Sequence, residues 1–366
     1  MFEHGTFTQG LTVANWPTTV CCGVLIGIAT GCAAPSFSVV TVPVADVRAT
    51  QTSPPPPGLH DPLQETQLLY GERVKVLNTD GGWAFIEAVE QAEYTHANAW
   101  QGYPGWVRRD ALKPDGSTSP SLDSPDRARS GSLGTQPRSD GASQTVVSVK
   151  WATLWADASA STALMQVPIG TTLRLTKTDG PLCALQLFDG RPAWIARGDV
   201  RFLHELRRLP VKLRRQAVVR AAEQLLGDPY FWGGRSPHHA SGTTLVTGLP
   251  AAFATQTGVD CSGLVNLAYR AAGIDIPRDA HEQYLRARKI TTLHPADVIF
   301  LSEAGNAKNI VHVMLYAGDG WLIEGPGTGL AIHRIEVTKR FGRSLKQLKP
   351  GDHIGRQTLS FGTYFP

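Results

Sequence analysis

The stretch 260–271, which reads DCSGLVNLAYRA, decides the fold of the C-terminal part of this 366-residue chain. Its apolar residues recur at helical spacing, and Gly273 follows where a helix commonly ends. The pattern therefore predicts a helix that begins at or next to Cys261. The positive end of a helix dipole favours a thiolate at that position, which makes Cys261 a candidate nucleophile. A buried structural cysteine is the alternative, because free cysteine is among the most buried residue types.

Two strand-like segments downstream supply the partners that a thiol nucleophile requires. The segments are predicted to be strands at 297–302 (DVIFLS) and 311–317 (VHVMLYA), followed by a turn at 318–320 (GDG) and a further strand at 321–324 (WLIE). If this hairpin is symmetric about Gly318, Glu324 lies directly opposite His312, about 5 Å away, and can hold the imidazole. A two-residue turn would instead move Glu324 to the other face. The predicted triad of Cys261, His312 and Glu324 therefore requires a loop with an odd number of residues.

Four motifs in this region resemble the NlpC-type family of cell-wall cysteine peptidases, whose catalytic domain has a papain-like α+β fold. The motifs are PYFWGG at 229–234, DCSG at 260–263, PRDAHEQ at 277–283 and HVMLYAGDG at 312–320. The resemblance covers roughly residues 205 to 330. It implies that Cys261 is the nucleophile, His312 the general base and Glu324 the residue that orients the base.

The same resemblance implies roles for residues next to the nucleophile. Tyr230 is expected to donate a hydrogen bond to the developing oxyanion. Trp232, Asp260 and Ser262 are expected to contact the substrate. The chain departs from the family pattern where 236–259 is much longer than usual, where Ala280 replaces a Ser or Thr, and where PAD at 295–297 replaces PGD.

The N-terminal end resembles the signal segment of an exported lipoprotein. Residues 20–29 (VCCGVLIGIA) form an apolar run that is too short to span a bilayer but suits a secretory signal. Small residues precede Cys32, as in the lipobox of bacterial lipoproteins, in which the cysteine is acylated. Residues 1–19 contain no Lys or Arg, although a positive stretch is expected there, so a mis-started or uncleaved N-terminus is the alternative. The expected location is the cell envelope, with a lipid anchor at Cys32 as the one link to a membrane.

Charge and cysteine content argue against several classes of protein. Lys and Arg (35) barely exceed Asp and Glu (31), a balance that gives no reason to expect a nucleic-acid partner. Cys183 is expected to be a small buried residue rather than a disulfide partner. His238 and His239 have no carboxylate or cysteine at ligand spacing, so neither a metal nor a cofactor is expected. The oligomeric state is not determined by the sequence, although a monomer is expected.

Composition divides the chain into five segments. Residues 114–144 are rich in Ser, Gly, Pro and Asp, which predicts a disordered linker. On either side, 36–113 and 145–203 alternate short strand signals with turn residues, and each resembles a small all-β SH3-like barrel of bacterial proteins. We therefore expect a signal segment at 1–32, two barrels, and an α+β peptidase domain at 204–366.

The first predicted barrel carries residues that resemble an amine-binding site. In some members of the NlpC-type family, γ-D-glutamyl-L-diamino acid endopeptidases, a Glu before a TQ-like turn, a Tyr in a GYxGW strand and the Asp of PRD hold the free amine of an N-terminal L-Ala. Glu65, Tyr103 and Asp279 stand at the matching positions here. Two carboxylates and an oxygen acceptor suit a primary ammonium. Ordinary surface residues of a barrel are the alternative.

The resemblance as a whole implies a peptidoglycan hydrolase that cuts between γ-D-Glu and meso-diaminopimelate in stem peptides. Two alternatives remain open at this point. One is an N-acetylmuramoyl-L-alanine amidase, and the other is a wall-binding module that no longer cuts. The amine site distinguishes the first, because an amidase substrate has no free L-Ala amine.

Overall fold

A computed structural model describes residues 36–55, 60–115, 143–178, 180–239 and 256–366, and three seven-stranded sheets contain most of the strands in these ranges. The first sheet contains β1 (Ser36–Val40), β2 (Val44–Arg48), β3 (Gln64–Leu69), β4 (Arg73–Asp80), β5 (Trp83–Glu93), β6 (Gln101–Arg108) and β7 (Leu112–Pro114). Its strand order is β3-β2-β6-β5-β4-β1-β7, and its pairs are antiparallel. Alternate residues of β5 point inward, including Ala84, Ile86 and Ala88, as expected for a half-buried strand.

The second sheet repeats the topology of the first. It contains β8 (Ser143–Val147), β9 (Trp151–Trp155), β10 (Ala163–Pro168), β11 (Thr172–Lys177), β12 (Leu182–Gln186), β13 (Pro192–Ala196) and β14 (Val200–Phe202). Its order, β10-β9-β13-β12-β11-β8-β14, matches the first sheet strand for strand. We call the two units the first β-domain (β1 to β7) and the second β-domain (β8 to β14). Cys183 is fully buried in the core of the second, as predicted.

The two β-domains are small all-β units, as predicted, but neither is a closed barrel in the described residues. Among the described residues the end strands of each sheet are not paired with each other, so both sheets are open. Strand β7 ends at Pro114 and β8 begins at Ser143, which lie just inside the predicted linker 114–144. The middle of that linker lies outside the described residues, as do the predicted signal segment and Cys32.

The C-terminal domain (α1 to β23) is a mixed α+β unit. Its helices are α1 (Leu203–Arg208), α2 (Val211–Glu223), α3 (Cys261–Ala271), α4 (Ala280–Arg286) and α5 (Val337–Phe341). Its strands are β15 (Arg235–Ser236), β16 (Gly258–Val259), β17 (Arg288–Lys289), β18 (Val298–Glu303), β19 (Asn306–Gly318), β20 (Trp321–Glu324), β21 (His333–Glu336), β22 (His353–Ile354) and β23 (Gln357–Thr363). The main sheet has the order β17-β23-β18-β19-β20-β21, with β22 paired to β23.

Helix α3 lies at the centre of the C-terminal domain, and its predicted limits are confirmed. It begins at Cys261, with Asp260 as the N-cap, and ends at Ala271. Gly273 follows with φ of +74°, the left-handed conformation that glycine adopts most easily after a helix. All eleven residues of α3 are buried, so the helix forms the core between the main sheet and the second β-domain.

The main sheet separates two hydrophobic clusters because its side chains alternate between faces. Val313, Leu315 and Ile323 pack with α2 and α3 on one face. Met314, Tyr316 and Leu322 pack with α5 on the other. Within the described ranges no helix has both the length and the apolar character needed to cross a membrane.

One arginine of α3 connects all three domains. Arg270 lies 2.6 Å from Glu90 and 3.3 Å from Glu72, two carboxylates of the first β-domain. Its Nε donates to the Gly170 carbonyl of the second β-domain at 2.9 Å. Its own domain contributes Asp275 at 3.1 Å. The Arg270 side chain is 5% exposed and has partners in all three domains, which form a single compact unit.

Candidate active site

The predicted nucleophile lies in the first turn of α3. Cys261 is the first residue of the helix and is 8% exposed. The N-cap Asp260 accepts a hydrogen bond from the Gly263 N–H at 2.6 Å, which fixes the direction in which the helix leaves. Gly263 has no room for a side chain, because a Cβ there would lie 2.1 Å from the Gly234 carbonyl oxygen. The positive end of the helix dipole thus lies at the sulfur, where it stabilises negative charge.

A buried arginine holds Asp260 in place. Arg278 donates from Nη1 and Nη2 to the two oxygens of Asp260, at 3.1 and 2.9 Å. Ser262 Oγ also donates to Asp260 at 3.1 Å and accepts from Arg278 at 2.9 Å. The Gly233 N–H completes the set at 3.1 Å. Substrate contacts were predicted for Asp260 and Ser262, but their polar atoms are used inside the protein, which favours a positioning role for both.

His312 lies between the thiol and a carboxylate. Its Nε2 is 2.9 Å from Glu324 Oε2, and the Cys261 side chain contacts the same ring. Because Nε2 faces Glu324, Nδ1 is left for the sulfur. Burial alone would lower the pKa of His312, but the hydrogen bonds to Cys261 and Glu324 raise that pKa to about 9. A pKa raised in this way favours the protonated ring beside the sulfur at neutral pH.

The hairpin that carries His312 and Glu324 does not have the predicted register. The ladder pairs Tyr316 with Leu322, and its continuation would place Glu324 opposite Met314. The predicted direct pairing of Glu324 with His312 was therefore wrong. The two residues are diagonal neighbours on one face, with Cβ atoms typically about 7–8 Å apart, a distance that a Glu and a His side chain can bridge.

A bulge explains why the two residues still share a face. The turn has two residues, Asp319 and Gly320, both with positive φ (51° and 79°), so the predicted odd-numbered loop was also wrong. Gly318 pairs with Trp321 across this turn, and the register then shifts at Ala317. This extra residue in β19 reverses the change of face that an even loop would cause.

Tyr230 lies beside the first turn of α3, and Trp232 directly precedes Gly233, whose N–H donates to the N-cap Asp260. A Cβ added at Gly325 would lie 3.2 Å from the Tyr230 ring and 3.4 Å from the Cys261 nitrogen, which places all three side by side. Burial, followed by the negative charges of Cys261 and Asp260, raises the pKa of Tyr230, so its hydroxyl remains a donor. Trp232 is 46% exposed. The oxyanion role of Tyr230 and the substrate contact of Trp232 stay predictions.

The three residues of the predicted amine site meet at the boundary of two domains. The Tyr103 hydroxyl lies 2.9 Å from Asp279 Oδ2 and 3.3 Å from Glu65 Oε2. Glu65 is in β3 and Tyr103 in β6, whereas Asp279 precedes α4. Burial raises the pKa of Asp279 to about 7 despite the nearby Arg278, and burial also raises the pKa of Glu65. Two carboxylates and one hydroxyl thus converge where a bound cation would relieve their mutual repulsion.

A family comparison agrees with this geometry. Residues 227–352 match the model of the NlpC/P60 family, and this range contains Cys261, His312 and Glu324. Residues 227–352 are an NlpC/P60 domain. With this domain the chain is a hydrolase of the cysteine-peptidase class.

Two relatives match most of the chain rather than the NlpC/P60 domain alone. The γ-D-glutamyl-L-lysine dipeptidyl-peptidase of Bacillus cereus is 25% identical over 75% of this chain and 70% of its own length. The Bacillus subtilis protein of the same name is 24% identical over 76% of this chain and 78% of its own. A shorter match is the peptidoglycan endopeptidase RipA of Mycobacterium tuberculosis, 35% identical over 36% of this chain and 26% of its own length.

One solved structure has a similar fold along nearly the whole chain. It is an NlpC/P60 family protein from Bacillus cereus, with a TM-score of 0.64 and 22% identity, covering 90% of this chain and 100% of its own. At this identity the likeness concerns the fold. Coverage of 90% includes far more than the NlpC/P60 domain, so the β-domains belong to the shared architecture.

Two side chains that contact Glu324 were not expected from the sequence. Arg340 in α5 donates from Nε to both oxygens of Glu324, at 2.8 and 3.2 Å. His333 Nε2 lies 3.5 Å from Oε1. Burial would raise the pKa of Glu324, but the His312 hydrogen bond and the Arg340 charge bring it below its usual range. Both residues lie beyond the four motifs, which is why no motif pointed to them.

The end of β5 and the turn that follows it attach the first β-domain to the NlpC/P60 domain. No sequence motif predicted these contacts. The Thr95 N–H donates to Glu282 of α4 at 3.1 Å, and the Arg278 N–H donates to the Ala92 carbonyl at 3.1 Å. The Arg286 guanidinium lies 3.8 Å from the centre of the Trp100 ring. These contacts hold Tyr103 and Glu65 against Asp279.

The ends of the long segment 236–259 are held by both β-domains. Gln67 of the first donates to the Gln256 carbonyl at 2.9 Å, and Gln166 of the second lies 2.9 Å from His239 Nε2. His238 donates from its backbone to Asp228 at 2.9 Å. Residues 240–255 lie outside the described part. Among the described residues no group of three or more His, Cys, Asp or Glu could hold a metal ion.

Proposed function

We propose that the chain is a peptidoglycan hydrolase of the cell envelope that cuts after γ-D-Glu in stem peptides with a free N-terminal L-Ala. The relatives named γ-D-glutamyl-L-lysine dipeptidyl-peptidase, matched over 75% and 76% of this chain, support the reaction class. The observation that carries the proposal is the Tyr103 hydroxyl placed between Glu65 and Asp279.

The chemistry follows from the contacts of His312. The Cys261 sulfur attacks the γ-carbonyl carbon of D-Glu, and the Tyr230 hydroxyl donates to the oxygen that becomes negative. The protonated His312 gives its proton to the leaving amine when the C–N bond breaks. Neutral His312 then takes a proton from water, which attacks the thioester and releases the sulfur. Glu324 holds the ring throughout, because its carboxylate accepts from Nε2 at 2.9 Å.

The amine site explains why a free N-terminus would be required. A primary ammonium has three N–H donors, and Glu65, Asp279 and Tyr103 together offer oxygen acceptors for all of them. Binding a cation there favours the ionised carboxylates, whose pKa values are raised while the site is empty. An acetyl group on the amine would remove the charge and add bulk next to buried residues. The enzyme would then act on peptides already released from the glycan.

The identity of the diamino acid is a finer question. We expect meso-diaminopimelate after γ-D-Glu, whereas the names of the two Bacillus relatives specify L-Lys. Turnover of L-Ala-γ-D-Glu-meso-diaminopimelate and L-Ala-γ-D-Glu-L-Lys by the full chain, measured side by side, answers it.

The proposed function is tested with the free tripeptide L-Ala-γ-D-Glu-meso-diaminopimelate and its N-acetyl derivative. The wild type should turn over the free form about thirtyfold faster or more, because losing one partner of a desolvated ion pair costs about 2–5 kcal/mol. Glu65→Ala should lose that preference, and Cys261→Ala should lose all turnover. Glu87→Ala, which removes a partly buried carboxylate 3.8 Å from Lys75 in the same sheet, is the matched control and should keep the preference.

Two results would contradict the proposal. Equal turnover of the free and acetylated tripeptides would show that the site does not recognise an amine. Efficient release of L-Ala-containing peptides from intact, glycan-linked peptidoglycan would indicate an amidase instead.

A further inference from the structure

An imidazole stands beside the predicted amine site and has no part in the function proposed so far. His96 lies in the turn between β5 and β6, with its ring edge-on to the Tyr103 ring at 5.3 Å between centroids. Its Nε2 is 3.8 Å from Glu65 Oε2, the oxygen that Tyr103 also contacts. About a fifth of the side chain is exposed, so protons can reach it.

The protonation of one ring nitrogen follows from its partner. Nδ1 lies 3.0 Å from Glu93 Oε2, and Glu93 is 1% exposed. The same oxygen accepts from the His96 backbone N–H at 3.0 Å, and the other oxygen accepts from Gln101. A carboxylate only accepts hydrogen bonds, so Nδ1 carries a hydrogen. The second proton of the ring therefore goes on and off at Nε2, the nitrogen that faces Glu65.

The charge state of His96 therefore affects the amine site directly. When Nε2 is protonated, the imidazolium faces Glu65 and pairs with the carboxylate that the substrate ammonium needs. When Nε2 is neutral, Glu65 is left for the ammonium. The charged groups around the ring are Glu93 from β5, Glu65 from β3, and Asp279 with Arg278 from the segment before α4.

We propose that His96 is a specificity-determining residue of the amine site, where its protonated ring competes with the substrate ammonium for Glu65. This inference rests on the proposed function, because it takes the ammonium site as its premise. It goes further in making amine recognition respond to pH through one named side chain.

The direction of the pH effect follows from linkage. Burial would lower the pKa of His96, but Glu93, Glu65 and Asp279 together raise it above its usual value, so competition extends toward neutral pH. Binding of an ammonium cancels part of that negative charge and favours the neutral ring, so binding expels a proton from His96. Affinity therefore falls as the pH falls, by up to about tenfold per pH unit from this group alone. Protonation of Glu65 and Asp279 acts in the same direction, so the experiment must separate His96 from them.

The test measures binding rather than turnover, which keeps the titration of His312 out of the result. Calorimetry follows L-Ala-γ-D-Glu binding to the full chain carrying Cys261→Ala, between about pH 5.5 and 8.5, in two buffers of different ionisation enthalpy. His96→Asn is added in the same background, because an amide N–H can replace Nδ1–H toward Glu93 but cannot take up a proton. We expect the variant with His96→Asn to release up to about one proton fewer when the ligand binds. Its affinity should also fall less than that of Cys261→Ala alone as the pH is lowered.

A second variant and a second ligand make the result decisive. His96→Lys places a permanent cation in the turn and should weaken binding by about tenfold or more even at the alkaline end. The deamino ligand propionyl-γ-D-Glu should bind all three proteins with the same pH dependence. Unchanged proton release in His96→Asn would overturn the inference. A lower affinity of His96→Asn at alkaline pH would also overturn it, because neutral His96 would then be an acceptor of the ammonium. If the protein that retains His96 binds both ligands equally well, the amine site is wrong, and the proposed function is contradicted independently of His96.

Discussion

Glu324 accepts from an imidazole and a guanidinium at the same time. His312 takes one side of the carboxylate and Arg340 bridges both oxygens, while only 1% of the Glu324 side chain is exposed. The arginine keeps this buried carboxylate ionised, but it also cancels part of the negative field that reaches His312. Together with the hydrogen bond to Cys261, the balance between these two effects sets how far the pH can rise before His312 loses its proton.

The first prediction concerns that proton. NMR titration of ring-labelled histidine in the full chain should show one imidazole with a midpoint near pH 9, absent in His312→Gln. Because this pKa is raised above its usual value, the proton stabilises the fold below about pH 6.5, and that contribution is lost as the pH rises toward 9. Glu324→Gln removes a charge that favours the imidazolium and should lower the midpoint. An ordinary midpoint near 6.5 in the wild type would contradict the ion pair.

Arg340→Met is the second prediction, and its direction is opposite. Removing the guanidinium leaves the full charge of Glu324 acting on His312 and removes a nearby positive charge, so the His312 midpoint should rise. Arg343→Met in the same region, where the arginine is 48% exposed and 3.5 Å from Asp352, serves as the control and should leave it unchanged. A downward shift would show that Arg340 acts mainly by fixing the geometry of the carboxylate.

Among the secondary-structure elements, helix α3 was predicted more fully than the hairpin of β19 and β20. Apolar spacing and Gly273 were enough to predict where α3 begins and ends, because those signals are local. Glu324 shares a face with His312, but through a two-residue turn and a bulge rather than the symmetric hairpin on which the prediction depended. The register itself was not predictable, because nothing in the sequence marks Ala317 as a bulge. Bulges arise from the balance of pairing along the whole ladder.

The third prediction concerns the start of α3. Asp260→Ala removes both oxygens that accept from the fully buried Arg278 and also removes the cap of the helix. Removing one carboxylate partner of a buried charge typically costs about 3–5 kcal/mol, and only the 3.2 Å contact with Asp279 then pairs Arg278 among the described carboxylates. Urea unfolding should show a loss of stability of that order. Asp110→Ala, at a carboxylate that is 40% exposed beside Arg108, should change stability by about 1 kcal/mol or less. Similar losses in the two variants would rule out a special role for the buried pair.

In the molecule as a whole, buried charges join the three sheets, one in each domain. Composition and turn signals predicted the order of the domains, and the expected amine site implied that the first barrel docks onto the peptidase domain. The contacts of Arg270 with Glu72 and Glu90 were not predicted, because these residues are far apart in sequence and look like ordinary surface charges. The same holds for His96, whose contacts exist only when the first β-domain is docked.

The fourth prediction tests this connection. Arg270→Met removes the contacts with Glu72, Glu90 and the Gly170 carbonyl at once, and it leaves Glu72 only 2% exposed with fewer cationic partners. Calorimetry of the wild type should show one cooperative unfolding transition, and the variant should unfold at a lower temperature with a separate transition for the β-domains. Arg334→Met, at a 41% exposed side chain near Glu223, should unfold like the wild type. An unchanged single transition in Arg270→Met would contradict the connection.

Arg278 links the start of helix α3 to the proposed amine site, and it therefore fixes the distance between Cys261 and that site. Its guanidinium holds Asp260, the residue before the proposed nucleophile, and lies 3.2 Å from Asp279 of the proposed amine site. Its Nε donates to Thr66, the neighbour of Glu65, at 2.8 Å. A peptide bound by its N-terminal amine would therefore always place the same bond, counted from that amine, next to the Cys261 sulfur. Chain length beyond that bond would not matter, and each turnover would release a fragment of one fixed size.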